Sequence, residues 1–170
     1  VGLGIIVNGN LYNGSTGFAG ELSHIQVVEN GELCICGKRG CLETVTSAYV
    51  LLNEAIKGIE ENRVSQLTET FSGRTRDLRP DDIINAARSG DEFSIQLLHK
   101  LGLSLGKGLS VTIQLLNPDI IVLGGPVSAA NQFVLTPIQQ SLNQYCLEQI
   151  YANTKIVISD IWEQSGLLGV

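Results

Sequence analysis

Three of the four cysteines fall within eight residues, and a histidine stands ten positions before the first of them. The spacing is His24-x9-Cys34-x-Cys36-x4-Cys41. Any fold for this chain must bring that loop to a point. Three soft thiolates and one imidazole are the donor set of a closed, four-coordinate zinc site. Gly31, Gly37 and Gly40 allow the backbone to wrap tightly around an ion, and Lys38 and Arg39 add positive charge that favours thiolates. The alternative is three buried thiols in a tight loop, with His24 unrelated to them. Four protein ligands leave no open position, so the predicted ion stabilises the loop and performs no chemistry. Cys146 stands alone in a predicted amphipathic helix and reads as core. This distribution is unlike a disulfide framework and suits a cytoplasmic metal protein.

The chain has 170 residues, enough for one domain with a real core. Hydrophobic residues make up 44% and charged residues 16%, the balance of a globular chain rather than a disordered one. A net charge of −6 repels phosphate backbones, so this chain alone is a poor nucleic-acid binder. No apolar run is long enough to span a bilayer, and VGLGIIVNG lacks the basic region and cleavage site of a signal peptide. Val1 opens directly on a strand-like run and Val170 closes inside SGLLGV, so the expectation is a piece of a longer protein.

Two β-favouring runs, 1–7 and 10–13, flank Asn8-Gly9 and predict a hairpin. A glycine- and serine-rich loop covers 14–24, and 25–28 reads as a short strand. A helix is expected from Leu42 to about Lys57, stopped by Gly58. Residues 59–79 read as an irregular or partly helical excursion. Pro80-Asp81-Asp82 opens a helix that Gly90 closes. The period of Leu97, Leu98, Leu101, Leu105, Leu109, Ile113 and Leu116 predicts a helix over 92–116. Its Gly102, Gly106 and Gly108 imply close packing against another element, and Asn117-Pro118 ends it. The apolar runs 119–123 and 155–159 read as strands covered on both faces, with a helix over about 130–147 between them. Strand, helix, strand in that order implies an α/β domain with a parallel pair. There is no internal repeat.

Glu21 precedes His24 by three residues and Glu43 follows Cys41 by two. The metal loop must draw these parts of the chain together. Two carboxylates and an imidazole on one patch suit a ligand rich in hydroxyl groups. As ordinary charges they need no ligand, and Glu43 would then only favour a helix N-terminus.

The segment GELSHIQVVENGELCICGKRGCLE resembles the zinc-binding signature of the ROK family of sugar kinases and sugar-responsive transcriptional repressors. That pattern is approximately Glu-x-Gly-His followed by Cys-x-Cys-Gly-x-x-Gly-Cys-x-Glu. Glu21, His24, Cys34, Cys36, Gly37, Gly40, Cys41 and Glu43 match it. VGLGIIVNGNLYNG is similar to the family's glycine-rich strand and hairpin, and LLNPDIIVLGG to its later helix-to-strand crossing. The resemblance implies an actin-like ATPase fold of the sugar-kinase, ribonuclease H-like type, with residues 1–170 forming most of the C-terminal lobe. It implies that Glu21, His24 and Glu43 bind sugar hydroxyls, His24 touching sugar with one ring nitrogen and zinc with the other. Four positions depart from the pattern. Ser23 replaces the glycine before the histidine, Leu3 and Ile6 offer no hydroxyl to phosphate, and Pro126 stands where a third glycine is common.

Two functions follow as expectations. One is the sugar-sensing, dimerising domain of a ROK-type regulator, whose DNA-binding head lies outside this chain. Sugar bound between two lobes would set the interlobe angle, and with it the spacing of the heads. The other is the C-terminal lobe of an ATP-dependent sugar kinase. There an upstream aspartate would act as base with Mg²⁺, and Gly2, Gly4, Gly124 and Gly125 would line the nucleotide cleft. As plain structure those four are turn glycines. The catalytic aspartate implied by the resemblance is not in this chain. The departures favour the regulator. The resemblance and the glycine-dotted helix also suggest a homodimer.

Overall fold

Asn8 and Gly9 both take positive φ, 52° and 77°, as a two-residue hairpin requires. They join β1 (Ile6–Val7) to β2 (Asn10–Leu11), with Ile6 opposite Leu11. The ladder is shorter than the predicted runs. The structure, a computed structural model, describes residues 1–159; the closing SGLLGV lies outside them.

Residues 25–28 do not form the predicted strand. Gln26 makes one isolated antiparallel bridge to Cys41, and Val27 and Val28 both donate to Gly40 O, at 2.8 and 3.1 Å. One carbonyl serves two successive amides, so no regular ladder can propagate. The single helix expected from Leu42 is two: α1 (Glu43–Thr46) and α2 (Ala48–Glu60). Ser47 breaks them with extended ψ 153°, and its hydroxyl accepts the Val50 N–H as an N-cap. Gly58 is not a stop. It lies inside α2 beneath Phe93, where an added Cβ would sit 2.2 Å from Cζ of the ring. The helix ends at Glu60, with Glu61 as its C-cap just before left-handed Asn62, φ 57°. The excursion that follows contains α3 (Gln66–Phe71) and a 3-10 turn at Thr75–Asp77, and α4 (Pro80–Arg88) opens at the predicted proline.

The core is organised by α5 (Glu92–Leu116), which has the predicted bounds. Leu97, Leu98, Leu101, Leu109 and Ile113 are buried on it, while Leu116 is exposed. The fold continues through β3 (Ile120–Leu123), a 3-10 turn at Pro126–Ala130, α6 (Gln132–Tyr145), α7 (Glu148–Tyr151) and β4 (Lys155–Ile158). The α5 glycines do what their number implied. A Cβ at Gly102 would lie 2.6 Å from Pro137 Cγ, and one at Gly106 would lie 2.6 Å from Ser141 Cβ, so α6 lies almost on the α5 backbone. Gly108 receives Leu42 in the same way. All three contacts are within the chain, so these glycines carry no argument for a dimer. Cys146 closes α6 as its half-buried C-cap rather than as full core.

β3 and β4 are parallel, Ile120 opposite Lys155 and Leu123 opposite Ile158. The expectation that both are covered on two faces is corrected. Ile121 is buried, and Leu123 and Ile156 pack on the core, but Ile120 and Val122 are 51% and 59% exposed. Among the described residues, only one face of this two-stranded sheet is covered.

Candidate metal centre and adjoining cleft

A 3-10 turn at Leu22–His24 aims His24 at the cysteine loop. The loop is closed by backbone bonds: Cys34 N–H donates to Lys38 O, Gly37 N–H to Cys34 O, and Gly40 N–H to Glu32 O. Gly40 has φ 73°, and a Cβ there would collide with Val28 O, so no other residue fits this crossing. Leu42 N–H donates to Ile25 O at 2.9 Å, which ties the end of the loop to the histidine turn.

The four predicted ligands do converge. One donor atom from each of His24, Cys34, Cys36 and Cys41 lies within 4.8 Å of all the others. Cys34 Sγ is 3.6 Å from His24 Nδ1, and Cys36 Sγ is 3.6 Å from Cys41 Sγ. A tetrahedral zinc with ordinary ligand bonds has edges of about 3.6–3.8 Å. Two edges already have that length, and the cluster could hold a zinc ion. None of the thiols is in a disulfide. Cys34 and Cys41 are buried and Cys36 is exposed. Burial, with the neighbouring thiols adding, pushes Cys41 up to about 11. A divalent cation among the sulfurs reverses that sign, because it stabilises the thiolate directly. Cys36 is held below its ordinary value chiefly by the backbone N–H of Lys38, and the Lys38 ammonium contributes least. The loop thus favours one thiolate through its fold more than through its lysine.

His24 uses its two ring nitrogens differently. Nδ1 faces the sulfurs, and Nε2 lies 3.7 Å from Glu21 Oε2. Glu21 is mostly exposed. Ser23, the residue that departs from the pattern, is itself buried. Glu43 opens α1 directly after the loop.

Glu43 also lines a cleft of about 550 Å³, within the size range of small-molecule sites. Gly2, Gly124 and Gly125 line the same cleft, and Gly4 does not. Glu21 and His24 are not on its wall either, so the structure divides the predicted set. The glycines and Glu43 share the cleft, and Glu21 and His24 stand at the metal loop beside it. Sequence reasoning missed Ser47 and Tyr49, which line this cleft and a second one of about 440 Å³ that Glu43 joins to it. A serine closing one helix and capping the next is the signal that would have found them.

The profile of the ROK family matches residues 1–170. The chain belongs to the ROK family. It is 36% identical to a glucokinase of Halalkalibacterium halodurans over 170 residues, which are 99% of this chain and 51% of that protein. It is 33% identical to the transcriptional dual regulator NagC of Escherichia coli, over 98% of this chain and 39% of that protein. A ROK family transcriptional regulator, homologous to the E. coli MLC protein, superimposes with a TM-score of 0.88 at 31% identity, covering 96% of this chain and 40% of its own. A ROK family glucokinase from Streptomyces griseus, solved with glucose and AMPPNP, gives 0.86 at 30% identity, covering 99% and 55%. The chain therefore spans about half the length, or less, of the relatives it matches. Its fold is that of the actin-like ROK sugar kinases and repressors. No helix among the described residues is long and apolar enough to cross a membrane.

Proposed function

We propose that this chain is the sugar-recognising part of a ROK protein, most of its C-terminal lobe, with a structural zinc held by His24, Cys34, Cys36 and Cys41. The observation that carries the reading is the pair His24 Nε2 and Glu21 Oε2, 3.7 Å apart. With Nδ1 committed to the metal, Nε2 carries the proton and can only donate, whereas the carboxylate can only accept. The gap is too long for a direct hydrogen bond. A hydroxyl both donates and accepts, so a sugar hydroxyl set beside the pair satisfies both. Glu43, two residues after Cys41, offers a further acceptor. Zinc then acts on sugar binding by fixing the imidazole.

Within this reading the protein is a cytoplasmic, dimeric, sugar-responsive regulator, with its DNA-binding head outside the chain. Pro126 supports this. It occupies the first position after the Gly124-Gly125 turn and has no N–H to offer a phosphate or base. Leu3, which lines the cleft, likewise brings no hydroxyl. The second reading, a lobe of an ATP- and Mg²⁺-dependent sugar kinase, is favoured by the cleft itself, which joins Gly2, Gly124 and Gly125 to Glu43. Calorimetric titration with glucose, N-acetylated hexosamines and xylose tests the shared core. At least one sugar binds, and Glu43→Ala weakens it about tenfold or more while zinc content stays at one per chain. An unchanged affinity in Glu43→Ala contradicts the assignment. Phosphorylation of that sugar by ATP selects the kinase, and sugar-dependent operator release without turnover selects the regulator.

A further inference from the structure

We infer that Lys107 is a positioning residue for the metal loop and, through it, for the sugar site; the second half of this rests on the reading above. Lys107 lies on α5, eighty positions from the carbonyl it grips. Its half-buried ammonium donates to Val27 O at 2.5 Å and lies 5.7 Å from the centre of the Tyr145 ring at the end of α6. Three elements meet at this one charge: the central helix, the helix packed on it, and the loop. Among the described residues, the partners of this ammonium are a neutral carbonyl and a ring face, with no carboxylate. A partly desolvated cation held by a neutral carbonyl and a ring face is a poor way to stabilise a fold.

What it grips leads to the metal. The Val27 carbonyl belongs to the peptide whose N–H is that of Val28, and Val28 N–H donates to Gly40 O. The Gly40 carbonyl belongs to the peptide that carries the nitrogen of Cys41. A continuous line of aligned peptide dipoles therefore runs from the ammonium to a metal ligand, and a charge at its head polarises each bond along it. Val27 N–H donates to the same Gly40 oxygen, so moving Val27 also moves the residue before Cys41. One residue after Cys41, Leu42 is wholly buried and packs on Gly108, the neighbour of Lys107. Glu43 comes next. Lys107 thus holds one side of the loop while Gly108 seats the other. The α5–α6 seam beneath them has no room to yield, because Gly102 and Gly106 already bring the two helices into backbone contact.

The test compares Lys107→Met with Lys107→Arg in the zinc-loaded protein. Methionine keeps length and helix propensity but has no donor; arginine restores charge and donors. Three quantities are read: zinc affinity by competition with a chromophoric chelator, the absorption spectrum of the cobalt-substituted protein, and sugar affinity. In Lys107→Met the metal still binds one per chain, its affinity falls about tenfold, the cobalt spectrum shifts, and sugar affinity falls with it. Lys107→Arg recovers most of each. A Lys107→Met protein with wild-type zinc affinity and an unaltered cobalt spectrum overturns the inference. If the methionine protein does not fold, Lys107→Gln, with a neutral donor, carries the same readouts. Should the wild type bind no sugar, the sugar reading fails alone, and the metal readouts still decide the role of Lys107.

Discussion

In the proposed function, His24 is the residue that links the metal cluster to the sugar site. Its Nδ1 meets Cys34 Sγ at 3.6 Å, its carbonyl accepts from the Cys41 thiol at 3.5 Å, and its Nε2 faces Glu21. Removing one sulfur should therefore be felt at the other ring nitrogen. Cys36→Ser is the cleanest choice, because Cys36 is the exposed ligand and the change leaves no cavity in the core. We expect this variant to lose zinc, to melt at lower temperature, and to lose sugar affinity in the same step; metal analysis and calorimetry check it. A variant that sheds zinc and keeps its sugar would separate the two sites. The residue types and spacing of the cluster were legible in the sequence, and the structure brings the three thiols and the imidazole together in an arrangement that could hold zinc. What the sequence could not give was which ring nitrogen faces the sulfurs and which faces Glu21. That depends on which way a three-residue turn points the ring.

At the scale of elements, legibility followed how local the determining signal was. The hairpin at Asn8-Gly9, the start of α4 at Pro80 and the full span of α5 are set by residues inside or next to them, and the structure returns them. Gly58 was misread because its reason is distant. It is small so that Phe93, on another helix, can lie across it. Residues 25–28 failed as a strand because one carbonyl, Gly40 O, takes two of their amides. The half-exposed β3–β4 sheet failed because apolar runs show hydrophobicity without showing what covers it. A device that sequence reading passed over is Asp91, whose buried carboxylate caps two helices at once. It accepts from Gln66 N–H at the start of α3, from Ser94 N–H at the start of α5, and from the hydroxyls of Ser65 and Ser94. Burial alone would raise its pKa, but these donors, led by Ser94, together hold it below the ordinary 3.8. A depressed folded value means that this stabilisation is full above the ordinary carboxylate range and is lost as pH falls below about 4. Asp91→Ala should cost about 1–3 kcal/mol at neutral pH and flatten the acid limb of the stability curve. Denaturant unfolding from pH 7 to 3 checks both, and an unaltered acid limb would show that Asp91 is not a source of it.

For the whole molecule, the metal loop lies against the central helix of the α/β body. Leu42 seats the loop end on α5 at Gly108, Lys107 grips its entry at Val27, and Glu43 carries the chain on into the cleft. Kinase and repressor relatives share this frame at comparable likeness, so the frame by itself does not separate the two uses. In the proposed function, zinc makes the sugar site by holding one imidazole. The most direct test is sugar affinity measured by calorimetry on one preparation, first with zinc, then stripped by a strong chelator, then with zinc restored. Affinity should disappear with the metal and return with it. A stripped protein that stays folded and binds sugar at full strength would contradict this.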